Sequence, residues 1–212
     1  MPKNTPPVWS TRGFATTTRR RFLMTTGAAV VGSAGATGTA LADYARGEHS
    51  LSATIGCASQ GSQDEIVYAN WDWDSSGSGE EPVDVVGIYW DDDKWELVTA
   101  DYSTADNVYF VETKFNDGSR GVEFRHKDWN ADSNSDYSAA SKLRPKGDYD
   151  EDVRNVFVKY THTYKDVDIE DVSIGQDGGD PEWTVTVSNN DKKWEKGAET
   201  DHAASSCGGG GL

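Results

Sequence analysis

His126 and His162 are the imidazoles best placed for acid–base or transition-metal chemistry, because each ends the apolar side of a stretch that alternates in period two. Two such side chains on strand faces could approach one another. No H-x-H, H-E-x-x-H or Cys/His pair accompanies them, so a hydrogen-bonded position at a strand end is the expected role. His49 and His202 fall in flanks without sustained periodicity. Oxygen-ligand chemistry has a different candidate, since Asp72, Asp74 and Ser76 alternate as the first ligands of a calcium loop do, with Gly77 behind them. Val83 then stands where such a loop needs its bidentate Glu, so an ordinary polar loop and no cofactor is the expectation, with calcium held non-standardly by Asp72, Asp74 and Ser76 as the alternative. Asn130, Asp132, Asn134 and Asp136 alternate in the same way but lack the central Gly and the closing acid.

Nucleophilic catalysis finds no G-x-S-x-G elbow, and neither Cys57 nor Cys207 sits near a patterned His. Those two thiols flank the patterned region and could instead close one loop of about 150 residues as a disulfide. A glycosidase needs only two opposed carboxylates, and Glu96, Glu112 and Glu123 are strand candidates, although outward acidic faces account for them without chemistry. Phosphate-binding glycine loops are absent from the sequence. Seven of the eight tryptophans follow residue 42, and Trp71, Trp73 and Trp183 fall on inward faces. Trp129, at the mouth of a long polar loop, is the aromatic expected to be exposed. With His126 and His162 it completes the candidate binding residues.

These side chains need elements to hold them, and the chain supplies strands. From Glu65 onward, short runs of period two alternate with turn clusters, the pattern of an antiparallel β-sandwich of about eight or nine strands over residues 65–197. In Ile66 to Trp73 the residues Val67, Ala69, Trp71 and Trp73 share one face. Val83 to Trp90 is apolar on both faces and reads as a central strand. Asn116-Asp117-Gly118-Ser119 has hairpin chemistry between Asn107–Phe115 and Gly121–Lys127. Residues 43–64 read as a flexible leader, 128–152 as a lid or linker, 175–181 as a second functional loop, and 198–212 as a disordered Gly-rich tail.

The N-terminus carries an address. Thr17-Thr18-Arg19-Arg20-Arg21-Phe22-Leu23-Met24 leads into an uncharged run of small and apolar residues that ends at Ala40-Leu41-Ala42. This segment resembles a twin-arginine export signal, which implies recognition through Arg19, Arg20, Phe22 and Leu23 by the twin-arginine translocase and cleavage after the small residues Ala40 and Ala42. Glycines at 27, 32, 35 and 38 make the run too weakly apolar for comfort as a membrane anchor, so the expected product is secreted and free of membrane.

Residues 1–42 hold five basic residues and no acid, so the remainder carries 15 basic against 36 acidic residues, a net −21. Such a charge repels nucleic acid and opposes compaction at ordinary salt. A twin-arginine signal on a small, strongly acidic chain resembles the exported proteins of haloarchaea. The composition and the absence of a catalytic motif together point to a non-catalytic extracellular or envelope-associated binding or structural module, with an envelope component or glycan as its partner. A secreted carbohydrate-acting hydrolase with a carboxylate pair, and a secreted antimicrobial or its immunity protein, are the rival expectations. Because the Debye length falls from about 10 Å at 0.1 M salt to about 3 Å at 1 M, raising salt should relieve the self-repulsion. The chemical-denaturation midpoint, followed by tryptophan fluorescence, is expected to rise steadily across that range in a chloride salt.

Overall fold

The computed structural model describes residues 46–59, 61–73, 83–128, 136–147 and 154–200, and all structural statements below concern these. They form eleven strands: β1 (His49–Cys57), β2 (Glu65–Trp73), β3 (Asp84–Asp91), β4 (Trp95–Thr104), β5 (Val108–Asn116), β6 (Ser119–His126), β7 (Tyr137–Pro145), β8 (Val156–Thr163), β9 (Ile169–Asp177), β10 (Asp180–Val187) and β11 (Lys193–Glu199). The fold is all-β and every strand pairing is antiparallel. One sheet has the order β1-β2-β7-β4, a second has β11-β8-β3-β6-β5, and β9 pairs with β10 as a separate hairpin. Among the described residues no helix is long and apolar enough to cross a membrane.

Two cores result, one on each face of the five-stranded sheet. The larger lies between the two main sheets and is built from Val67, Ala69, Trp71 and Trp73 of β2, Val86, Ile88 and Trp90 of β3, Trp95 of β4, Val122 and Phe124 of β6, Leu143 of β7 and Val158 and Tyr160 of β8. The smaller lies on the outer face, where Val85 and Tyr89 of β3 and Phe157 of β8 meet Val172, Ile174, Trp183, Val185 and Val187 of the hairpin. This explains why β3 reads as apolar on both faces. By contrast, the four-stranded sheet shows solvent an outer face of Ser50, Ser52 and Thr54 on β1 and Asn70 and Asp72 on β2.

Trp183 is the anchor of the smaller core. Its indole lies flat over the sheet where Gly87 of β3 and Gly121 of β6 carry no side chain, and a Cβ at either position would come within 2.4 Å or 2.7 Å of the ring. Lys159 donates to the Trp183 carbonyl at 2.6 Å, and Lys193 donates to that of Val185 at 2.5 Å, so β10 is tied by its backbone to β8 and β11. Three hairpin turns use glycine in the left-handed region or a close relative of it, among them Gly118 (φ 79°) at the Asn116–Ser119 turn and Gly178 (φ 62°) between β9 and β10.

Several expectations change. His49–Cys57 is strand β1, not leader, because Leu51, Ala53 and Ile55 turn inward against the larger core while Ser and Thr alternate outward. Tyr137–Pro145 is β7, an interior strand paired with both β2 and β4, within the segment expected to be a lid. Its inward residues are Tyr137, Ala139, Ser141 and Leu143, and the short side chains of Ala139 and Ser141 give the segment little apolar contrast. Residues 175–181 form the tight β9–β10 hairpin, not an open loop. Gly87→Ala is expected to lower unfolding free energy by about 1–3 kcal/mol through overpacking against Trp183, with Trp183→Phe recovering part of that loss. A double-mutant cycle in denaturant checks both statements.

Candidate functional site

Pairing register places a row containing one carboxylate and two imidazoles across the inner face of the five-stranded sheet. Trp194 of β11 lies opposite His162 of β8, Asp84 of β3 opposite His126 of β6, and His126 opposite Val108 of β5. His162 reaches Asp84 from the position just beyond the Val85–Thr161 pair. Opposed residues of an antiparallel pair point to one face, so this row sits inside the sandwich at one end of the larger core.

Asp84 is fully buried and is the hub. One carboxylate oxygen accepts from His162 Nδ1 at 2.9 Å and from the Thr163 backbone N–H at 2.9 Å. The other accepts from the Tyr160 hydroxyl at 2.5 Å. Burial alone would raise the Asp84 pKa, but the charge and hydrogen bond of His162, then His126 and Tyr160, hold it below the ordinary carboxylate value. Tyr160 donates its single hydroxyl proton in the hydrogen bond to Asp84, so at its 2.8 Å contact with His126 Nδ1 the imidazole is the donor. The Trp71 indole N–H also points at His126 Nδ1, but from 3.4 Å, and this longer contact yields to the shorter one. A directed chain follows, from His126 through Tyr160 to Asp84. His162 Nδ1 additionally faces Asp128 Oδ2 at 3.5 Å, where Asp128 lies two residues past the end of β6 and is fully buried.

A third imidazole joins from the opposite sheet. His49, the first residue of β1, packs its ring 4.3 Å from Tyr160, 4.6 Å from Trp73 and 5.3 Å from Trp194, centroid to centroid. Its backbone carbonyl accepts from Lys196. Burial, then the Lys196 charge, push the His49 pKa down to about 3, and burial pushes His126 down to about 4 against the pull of Asp84. Both rings are therefore neutral at any ordinary pH, which suits their packing among indoles.

The sequence reasoning placed His126 and His162 on inward faces, and the structure brings both to Asp84. It missed Asp84, Asp128, Tyr160 and His49. A charged residue set inside the apolar run Val83 to Trp90 was the available signal for Asp84. Asp72 lies on the solvent face of β2 and accepts from the Ser50 hydroxyl at 2.5 Å, while Asp74, Ser76 and Trp129 lie outside the described residues. So do the signal residues Arg19, Arg20, Phe22, Leu23, Ala40 and Ala42. Cys57, at the end of β1, is disulfide-bonded, and Cys207 lies outside the described residues. Glu96 is exposed and ion-pairs with Arg144, whereas Glu123 is buried and held by Arg125 at 2.5 Å and Lys114 at 3.3 Å. The two carboxylates brought together around His162, Asp84 and Asp128, are both sealed from solvent, so a saccharide has no access to them as a catalytic pair.

No family model matches this chain, and no curated protein does. Solved structures give distant overlaps. ACE19, the collagen-binding subdomain of the Enterococcus faecalis surface protein ACE, is 9% identical over 76% of this chain and 99% of its own, with a TM-score of 0.33. The seventh ScaB type I cohesin of Pseudobacteroides cellulosolvens is 9% identical over 74% of this chain and 94% of its own, with a TM-score of 0.34. The sixth cohesin of Acetivibrio cellulolyticus scaffoldin B, solved with a dockerin, is 13% identical over 72% of this chain and 99% of its own, with a TM-score of 0.31. Nothing about function is carried to this chain from overlaps of this size.

Acid should find the histidine cluster. His49 and His126 have folded pKa values below the ordinary 6.5, so the unfolded chain binds more protons between about pH 6.5 and pH 4. Stability is full above that window and falls as pH drops through it, by about 1.4 kcal/mol per pH unit for each ring. Asp84 adds a further loss at still lower pH, where its carboxylate takes a proton. Urea unfolding at a series of pH values is expected to show this slope, and His49→Phe, which sacrifices no side-chain hydrogen bond, is expected to reduce it by about half.

Proposed function

We propose that this protein is a non-catalytic binding module that works outside the cell at high salt, after export by the twin-arginine translocase, and that it engages an envelope component or glycan through the β4–β5 side of its sandwich. The carrying observation is the placement of its exposed large hydrophobic residues. Among the described residues these are Val98 and Tyr102 on β4 and Tyr109, Val111 and Phe115 on β5, with Phe115 64% exposed. Two consecutive strands thus hold the exposed apolar surface of an otherwise polar, acidic molecule.

The side of the sandwich matters as much as the residues. β4 and β5 are edge strands of the two different sheets, and each is bulged, β4 between Leu97 and Ser103 and β5 between Phe110 and Glu112. Bulges disrupt strand addition at an edge, so these edges are shaped for side-chain contact rather than for pairing with another strand. Lys142 lies over the Tyr102 ring at 4.6 Å and Lys127 over the Tyr109 ring at 5.4 Å, which fixes each ring and leaves part of it open for stacking. The twin arginines, the small-residue cleavage segment and the net −21 beyond residue 42 support export into brine.

Co-sedimentation with washed haloarchaeal envelopes at high salt, with the supernatant assayed for sugars, tests the reading. Saturable retention without sugar release is expected, and Tyr109→Ser combined with Phe115→Ser is expected to abolish it while leaving the unfolding midpoint in place. Released sugars, no retention, or retention unaltered by the double substitution would each count against it.

A further inference from the structure

Beyond that surface, the core holds a second kind of site. We propose that Asp84, Asp128 and His162 bind one divalent first-row transition ion, of the zinc class, as a structural fastener between β3, β8 and the segment that follows β6. Each offers one donor atom, an oxygen from each carboxylate and Nδ1 from the imidazole, and the three atoms lie within 4.8 Å of one another. His162 Nδ1 stands 2.9 Å from Asp84 Oδ1 and 3.5 Å from Asp128 Oδ2. With metal–donor bonds of about 2.1 Å, neighbouring ligands of a zinc-type ion lie about 3.0 Å apart in octahedral and about 3.4 Å apart in tetrahedral geometry. Both observed separations fall at those edges. The donor set of two carboxylates and one imidazole suits zinc or manganese better than calcium, which prefers oxygen throughout.

Charge gives an independent reason. All three residues are at most 1% exposed. Two carboxylates and one imidazole, all buried, sum to a net negative charge even with His162 protonated, and net charge is costly to hold in a core. A divalent cation on two carboxylates and a neutral imidazole brings the sum to zero. The supports around the donors are those a metal ligand uses: the second oxygen of Asp84 accepts from Tyr160, which is oriented in turn by His126, and the Thr163 backbone fixes the first. These contacts hold Asp84 in place whether or not an ion is present. Asp128 has most to gain, since an ion would tether the start of the β6–β7 connection to the central strand.

The full chain, stripped with a chelator and dialysed at high salt, is the material for the test. On titration with zinc chloride, elemental analysis after desalting is expected to give one ion per chain, with a higher unfolding midpoint. Nitrogen NMR of the imidazoles is expected to show His162 Nδ1 moving to a metal-bound position while His49 and His126 stay. Asp128→Asn is expected to weaken zinc binding by more than about tenfold and to remove the midpoint shift. Should that variant fail to fold, the His162 resonance of the unaltered chain decides alone. An unmoved His162 with excess zinc, or one ion held equally well by Asp128→Asn, would overturn the proposal and place any bound ion on the acidic surface.

Discussion

A single buried carboxylate organises this sandwich. Asp84 opens the central strand β3, and every hydrogen bond that it accepts comes from β8: the His162 ring, the Tyr160 hydroxyl and the Thr163 backbone. Burying an aspartate so completely is costly unless its lone pairs are filled, and here three donors from one strand fill them. The same contacts lock the register of β3 against β8, since a slip of one residue would turn Asp84 to the outer face and into the smaller core. His126, Trp71 and His49 then pack around that fixed point from three further strands. Apolar packing gives the core its bulk, and the row through Asp84 gives it one arrangement.

The two sides of the sandwich are built differently. On one, β1 and β11 approach closely, with the Lys196 amine on the His49 carbonyl and Trp194 against His49 and Trp73. On the other, β4 and β5 present bulged edges and exposed rings. The buried polar network sits among β1, β3, β6, β8 and β11, so the surface we propose for binding is free to vary in composition without disturbing the network that specifies the fold. Stability and recognition are thereby assigned to separate residues.

Much of the fold was legible in the chain because strands announce themselves by alternation. Val67, Ala69, Trp71 and Trp73 were read inward and are buried, and the two-sided run of β3 follows from cores on both of its faces. The strands that escaped notice, β1 and β7, mix large inward residues, Leu51, Ile55 and Leu143, with Ala53, Ala139 and Ser141, which carry little contrast with their outward neighbours. Their burial is decided by pairing with β2 and by the sheet that faces them, which no local pattern records. The site was legible by halves for a related reason. His126 and His162 lay on apolar faces, so their inward direction could be read, but their meeting at Asp84 depends on pairing β3 with both β6 and β8. Asp84 looked like one acid among 36, and its burial is a fact of topology rather than of composition.

The β9–β10 hairpin forms no ladder with either main sheet. It rests on the outer face of β3, β6 and β8 through Trp183 and is held by lysine amines on its own backbone carbonyls. Its strands are adjacent in sequence, so it can close locally, yet its apolar side has nothing to rest on until β3 and β8 are paired. The hairpin is therefore a cover applied to a finished sheet. Its docking buries the apolar outer face of that sheet, and a molecule lacking it would offer Val85, Tyr89 and Phe157 to solvent and to any protein that captures exposed apolar surface.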